Sequence, residues 1–349
     1  MGTRRNLADL AGALLGRGGA AGAAFTRIAR AGDWWEYKLV PVGAMFYATA
    51  LVIGLPLHVA WPAALLLLAA IGSGAVYVSV LNDLADREED AAAGKRNGVA
   101  GRSPILIALL IALPVAVGAA VAWNWRDDPL RLWPYLAAWV VFTLYSLPPV
   151  RLKVRGLAGV LADAAGAHLL PAFLATVIVF RFAGIRPDPF WLTATGVWAF
   201  AYGLRGILWH QLADEAADRA AGVRTFVHRS GRASTIRLAR YGIFPLELCA
   251  LAAMLSQMPS WLPLLFLFLY VPLVRHKLRV FRMVAVTVDP KPRYLIVLQD
   301  YYDVLLPLAL LLACAWRWPL DLAVLVIHFG LFPRRAIQFF GDLWRIRPF

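Results

Sequence analysis

Cysteine is nearly absent. Two residues in 349, Cys249 and Cys314, both inside apolar runs, exclude a disulfide framework and a cysteine-based metal centre. Charge is also scarce: 16% of the chain is Asp, Glu, Lys or Arg, while 61% is hydrophobic. A water-soluble fold of this length could not hide so much apolar surface. Acids are the rarer sign, 21 against 35 Lys and Arg, for a net charge of +14. In a soluble chain that excess would point to nucleic acid. In an apolar chain it marks basic residues flanking membrane helices, and no nucleic-acid partner is expected. A signal peptide is missing too, because Arg4, Arg5, Arg17, Arg27 and Arg30 are scattered through a Gly/Ala-rich stretch with no apolar core. Residues 1–34 read instead as an amphipathic or mobile cytoplasmic segment.

What is present is a succession of apolar runs near the length that a helix needs to cross a bilayer. They fall at 39–59, 62–82, 104–123, 132–148, 157–180, 190–211, 241–257, 260–274, 295–315 and 318–333. The fold class is therefore all-α: a polytopic membrane helical bundle of nine or ten transmembrane helices over 35–333, with a basic cytoplasmic tail at 334–349. With the N-terminus in the cytoplasm, 29 Lys and Arg lie on that side and five on the other, which fixes the orientation.

One phrase occurs twice. Residues 84–94 read LADREEDAAAG and residues 212–222 read LADEAADRAAG, each after a long apolar run. Four crossings separate the copies, so both face the cytoplasm and can share one site. The spacing also suggests two parallel pseudo-repeats of four helices. In the first copy Asn82, Asp83, Asp86 and Asp90 fall on one helical face; in the second, His210, Gln211, Asp214 and Asp218 do, with Glu215 beside them. Crowded carboxylates call for a cation, and hard oxygen ligands suit Mg²⁺, which bridges carboxylates to phosphates. One such cluster alone is as readily a solvated helix end. Basic neighbours could hold a polyanion: Lys95, Arg96 and Arg102 after the first copy, Arg219, Arg224 and Arg229 after the second, and Arg151, Lys153 and Arg155 in the loop YSLPPVRLKVRG. Positive-inside bias accounts for most of these, and Lys95, Arg96, Arg151 and Lys153 are the stronger candidates.

The pattern Asn82-Asp83-x-x-Asp86-x-x-x-Asp90 resembles the first aspartate motif of the UbiA superfamily of intramembrane prenyltransferases. Asp214-x-x-x-Asp218, followed by Gly222 and Thr225, resembles the second motif, and the loop with Tyr145, Ser146, Arg151 and Lys153 resembles the family's basic loop. The resemblance covers roughly 35–315. It implies a helical bundle around a central cavity open to membrane lipid. It also implies Mg²⁺-dependent transfer of a prenyl group from a prenyl diphosphate to a lipophilic, including aromatic, acceptor, with release of diphosphate. In that reading Asp83, Asp86, Asp90, Asp214 and Asp218 hold metal. Asn82, Lys95, Arg96, Tyr145, Arg151 and Lys153 bind the diphosphate. Asp83, Asp86, Asp214 and His210 are the catalytic candidates. Mg²⁺ there serves as Lewis acid and template for ionising the allylic C–O bond. The second copy departs from the pattern with His210-Gln211 where the first has Asn82-Asp83.

Other polar residues stand inside apolar runs: Asp163 and His168, Arg205 and Glu247. Such groups face a cavity or a partner. Asp163 is expected at the cavity near the acceptor or in an ion pair, and Arg205 in a helix-to-helix pair with an acid. Asp300 and Asp303 are remote candidates for metal ligation at the cavity mouth. Competing functions are a terpene cyclase, a polyprenyl-phosphate phosphoribosyltransferase and, outside enzymes, a transporter. Acids gathered at one membrane face rather than midway argue against the last. The acceptor, the prenyl chain length and the oligomeric state are not legible.

Overall fold

The computed structural model describes residues 31–92, 94, 97–220 and 222–345. Helices account for most of it. The order is α1 (Ala31–Ile53), α2 (Trp61–Ala85), the short α3 (Arg87–Ala92), α4 (Pro104–Asn124) and α5 (Pro129–Ser146). Then come α6 (Leu157–Phe182), α7 (Pro189–Ala213), the short α8 (Glu215–Ala220) and α9 (Phe226–Ser230), α10 (Arg232–Gln257) and α11 (Leu262–Val280). The chain closes with α12 (301–317), α13 (Leu322–Leu331) and α14 (Pro333–Arg345). Each of the ten apolar runs contains a helix.

Among the described residues five helices are long and apolar enough to span a bilayer: Trp34–Ile53, Trp61–Ala85, Pro104–Asn124, Leu157–Phe182 and Arg232–Gln257. The last apolar run forms a shorter helical stretch, Pro319–Leu331, which at 1.5 Å per residue reaches about 20 Å, less than the hydrocarbon core. Beyond it the basic tail is not extended. Pro333–Arg345 is a helix whose buried residues are Ala336 and Phe339, and the carboxylate of Glu36 in α1 caps it by accepting from the backbone N–H of Arg334 (2.9 Å) and Arg335 (2.8 Å).

Local chemistry sets where the spans begin. α4, α5 and α7 each open on a polar residue followed by proline. Ser103 accepts from the N–H of Leu106, Asp128 from Leu130, and Asp188 from Phe190 and Trp191. The side chain satisfies an orphan donor, and the proline, with its fixed φ and no N–H, suits the first turn.

α2 packs against α4 and α5, α1 against α6 and α12, and α7 against α6 and α10. Between α1, α2, α5 and α6 lies a cavity of about 210 Å³, lined mostly by apolar groups such as Ile71, Tyr135, Trp139 and Leu174. The loop after α11, for which the sequence offers no assignment, forms two short parallel strands, β1 (Val284–Val286) and β2 (Tyr294–Ile296), with Val284 opposite Tyr294. Arg205 holds this loop from inside the bundle. Its Nη1 donates to the carbonyl of Val297 (3.1 Å), while its Nε and Nη2 bond Glu247 of α10 at 2.7 and 2.8 Å. This is the expected helix-to-helix pair, buried at both ends.

Candidate active site

The doubled phrase takes one backbone shape twice. α2 and α7 are both 25 residues long and both end one residue before an aspartate. Asp86 has φ −100° and ψ 5°, and its N–H bonds the carbonyl of Asn82; Asp214 has φ −93° and ψ 3°, and bonds His210. The N–H of Asp90 reaches the Asp86 carbonyl, and that of Asp218 the Asp214 carbonyl, both at 2.8 Å. Each turn leads into a six-residue helix, and the phrase closes on a glycine in the left-handed region, Gly94 at φ +63° and Gly222 at φ +69°.

The side chains of the first turn divide between two neighbours rather than sharing one face. Asp83 and Asp90 look toward the turn after α3. Asn97 Nδ2 donates to the Asp83 carbonyl (2.6 Å) and to Asp90 Oδ2 (2.8 Å), and the N–H of Gly98 donates to Asp83 Oδ2 (2.7 Å). Asp83 is 1% exposed. Asn82 and Asp86 look toward the basic loop between α5 and α6. Lys153 Nζ bonds Asp86 Oδ1 and lies 3.3 Å from Asn82 Oδ1, and Ser146 Oγ is 3.4 Å from that same oxygen. Arg151 Nη2 reaches Asp86 at 2.9 Å while its two terminal nitrogens grip Glu89 at 2.6 Å each. The hydrogen bond from Arg151 holds the Glu89 carboxyl below its usual value of 4.5. Helical arithmetic through residue 90 assumes one unbroken helix; the break at Asp86 and the insertion of Asn97 divide the arc.

The second turn is more open. Asp214 and His210 are exposed and Asp218 half-buried, while Gln211 turns inward and accepts from the N–H of Val227 at 3.3 Å. Glu215 is bound by Arg219 (3.1 Å) and Arg232 (2.9 Å). The turns approach each other across α5 and the basic loop. Tyr145, at the end of α5, is within electrostatic reach of Asp86, Asp163 and Asp218, and a Cβ on Gly156 would sit 2.9 Å from Cδ of Arg229. Lys95 and Arg96 lie outside the described residues. Asp300 and Asp303 take part in ion pairs: Arg335 Nε bonds Asp303 at 2.9 Å and Lys277 bonds Asp300 at 3.0 Å.

The acidic end leads into the cavity. Ser79 on its wall is one turn before Asn82, and Phe142 is one turn before Tyr145. Among the described residues no three His, Cys, Asp or Glu side chains are gathered as one metal cluster. The donors at the two turns are nonetheless all hard oxygens, save His210. In this structure two cations, Lys153 and Arg151, lie on Asp86. Such a donor set suits Mg²⁺. Two residues that sequence reasoning passed over also matter here. Asn97 ties Asp83 to Asp90, and an Asn-Gly pair just after an acidic helix was the available signal. Glu89, inside the repeated phrase itself, anchors Arg151.

A family model, the UbiA prenyltransferase family, matches residues 43–294. A lycopene elongase/hydratase of Halobacterium salinarum is 32% identical over 154 residues, 43% of this chain and 51% of that protein. The chain thus matches about half the length of this curated relative. Among solved structures, a UbiA homolog from Archaeoglobus fulgidus bound to GPP and Mg²⁺ aligns with a TM-score of 0.56 at 16% identity, covering 86% of this chain and 99% of that one. The same homolog bound to DMAPP and Mg²⁺ aligns with a TM-score of 0.53 at 15% identity, covering 89% and 99%. At such identity these neighbours speak for the fold. The helical bundle, the doubled acidic turn and the family match agree, and the chain belongs to the UbiA prenyltransferase family.

Proposed function

We propose that this protein transfers a prenyl group from a prenyl diphosphate to a lipophilic acceptor within the membrane, with Mg²⁺ held at the two acidic turns on the cytoplasmic face. The observation that carries the reading is one arrangement: two acidic turns of one backbone shape flank a basic loop, and the wall of an apolar cavity ends one turn before Asn82 and one turn before Tyr145. Asp86, Asp90, Asp214 and Asp218 would hold the metal, which supplies charge neutralisation to the leaving diphosphate. Lys153 and Arg151 would meet the remaining phosphate oxygens, Arg151 through its planar fork. Asn82 and Tyr145 border the same space. Asp83 supports the first turn from beneath through Gly98, and His210 is exposed four residues before Asp214.

The cavity walls favour a chain-like, apolar acceptor. Its lining is largely aliphatic and aromatic, and aromatic faces stabilise a developing allylic cation. The halobacterial relative, by name a lycopene elongase/hydratase, points toward an unsaturated hydrocarbon of that kind.

The test is to incubate purified protein with geranyl or dimethylallyl diphosphate, Mg²⁺ and lycopene, then follow diphosphate release and product mass. The expected result is metal-dependent release with a prenylated acceptor, lost on chelation. A cyclised hydrocarbon without acceptor would indicate a cyclase, a phosphoribosyl lipid the transferase alternative, and flux without chemistry a transporter.

A further inference from the structure

A polar group that the diphosphate site does not use stands on the cavity wall. Lys38 of α1 and Asp163 of α6 are the charged side chains among the described residues lining the cavity. Lys38 Nζ lies 2.8 Å from Nε2 of the buried His168, and Asp163 is within electrostatic reach of the same amine. An ammonium has donors only, so the ring nitrogen is assigned as acceptor and the imidazole as neutral, with its proton on Nδ1.

Local backbone geometry assembles this set. Asp163 and His168 are five residues apart, which in an unbroken α-helix would point them about 140° apart. A π turn at Ala165–Leu169 adds a residue between them, cancels about one 100° step and turns both toward α1. Gly203 of α7 makes room for the imidazole, since a Cβ there would sit 2.9 Å from its Cδ2, and the Tyr202 ring packs edge-on against it at 5.1 Å. Lys38 and Asp163 are seven and six residues into their helices, about 10 Å from those helix starts. Both line the cavity wall.

We propose that Asp163 accepts the proton released in the coupling step, with Lys38 and His168 as its positioning residues. The inference rests on the prenyl-transfer reading. The allylic C–O bond breaks and its electron pair leaves with diphosphate. A π pair of the acceptor forms the new C–C bond and leaves a cation on the acceptor. The neighbouring C–H bond then breaks, its electrons form a C=C bond, and the proton passes to the Asp163 carboxylate. A proton beside a carbocation is so acidic that even a carboxylate with an ammonium in its neighbourhood takes it. Position and exclusion of water decide the outcome, because water would otherwise add to the cation. Lys38 alone would repel that cation; beside Asp163 it leaves the wall neutral, and the bond to His168 fixes its direction.

The experiment uses full-length protein in liposomes with geranyl diphosphate, Mg²⁺ and lycopene as the probe acceptor. It reads deprotonated coupled product per diphosphate released. Asp163→Asn is expected to lower that ratio at least about tenfold, in favour of hydrated adduct or geraniol, and Lys38→Met to lower it about threefold. Asp163→Glu, which restores a carboxylate, is expected to regain much of the loss. Ratios within about twofold of wild type in both Asp163→Asn and Lys38→Met would overturn the assignment and leave the set a structural feature of the cavity wall. If Asp163→Asn does not fold, Lys38→Met and His168→Gln decide by the same ratio. Wild-type protein that releases no diphosphate overturns the prenyl-transfer reading itself. Release without any coupled lycopene overturns the hydrocarbon assignment.

Discussion

The turn after α2 and the turn after α7 share a backbone and differ in what surrounds it. Both follow a 25-residue helix, cap it with an aspartate and continue into six helical residues. Around the first, the α5–α6 loop places Arg151 and Lys153 on Asp86, and Asn97 secures Asp83 and Asp90. Around the second, Asp214 is open to solvent and Glu215 is taken up by Arg219 and Arg232. A repeated phrase therefore copies geometry, while neighbours from elsewhere in the chain assign the chemistry. In the proposed reading the first turn serves as an anion-binding wall, and the second presents carboxylates across from it.

The largest expected effect is at the first turn. Asp86→Ala removes a proposed metal ligand and takes one carboxylate from Arg151 and Lys153, and diphosphate release should fall about 10³-fold. Asp214→Ala should lower it about 10²-fold, because the exposed residue frees no buried charge. Steady-state diphosphate release measures both. If Asp214→Ala changes nothing, the second turn is only a solvated helix end.

The next comparison concerns the cations. Lys153→Ala should raise KM for geranyl diphosphate about tenfold, whereas Arg219→Ala, which loses an exposed pair with Glu215, should stay within about twofold of wild type. Equal effects would mean that general positive charge, rather than the built loop, attracts the substrate.

Two smaller effects test the shared backbone and the loop anchor. Gly94 and Gly222 both have positive φ, with nothing among the described residues within 4 Å of an added Cβ. Alanine at either should cost about 1 kcal/mol of stability, alike at both, as read by thermal melting. At Glu89 the folded carboxyl lies below its usual 4.5, so its bond to Arg151 contributes fully above that value and is lost as pH falls through the lowered one. Proteolysis of the basic loop should therefore rise on acidification below pH 4.5, and Glu89→Gln should abolish that dependence.

Much of this was legible in the chain. The ten apolar runs mark ten helices because hydrophobic length is a strong signal in a membrane protein, and the doubled phrase marks two turns of one shape. Lys38 escaped because it sits at the edge of its apolar run and counts there as a flanking charge. Its partner is set by a π turn whose register no periodicity reveals. α14 escaped because the short stretch 334–349, with its four basic residues, reads as a tail, although Glu36, 298 residues before Arg334, supplies the helix cap. Asp300 and Asp303 could be placed at a helix start from sequence, but their use by Lys277 and Arg335 depends on tertiary packing.

The account stands on the two turns binding one ligand. The direct measurement is a crystal structure with a non-ionising geranyl thiodiphosphate and Mn²⁺ in place of Mg²⁺, with the metal located by its anomalous signal. The account predicts metal on a carboxylate of the Asp86 turn and on one of the Asp214 turn, joined through a single diphosphate, with the geranyl chain entering the cavity toward Asp163. Metal at one turn alone, or the diphosphate outside the space between them, would contradict it.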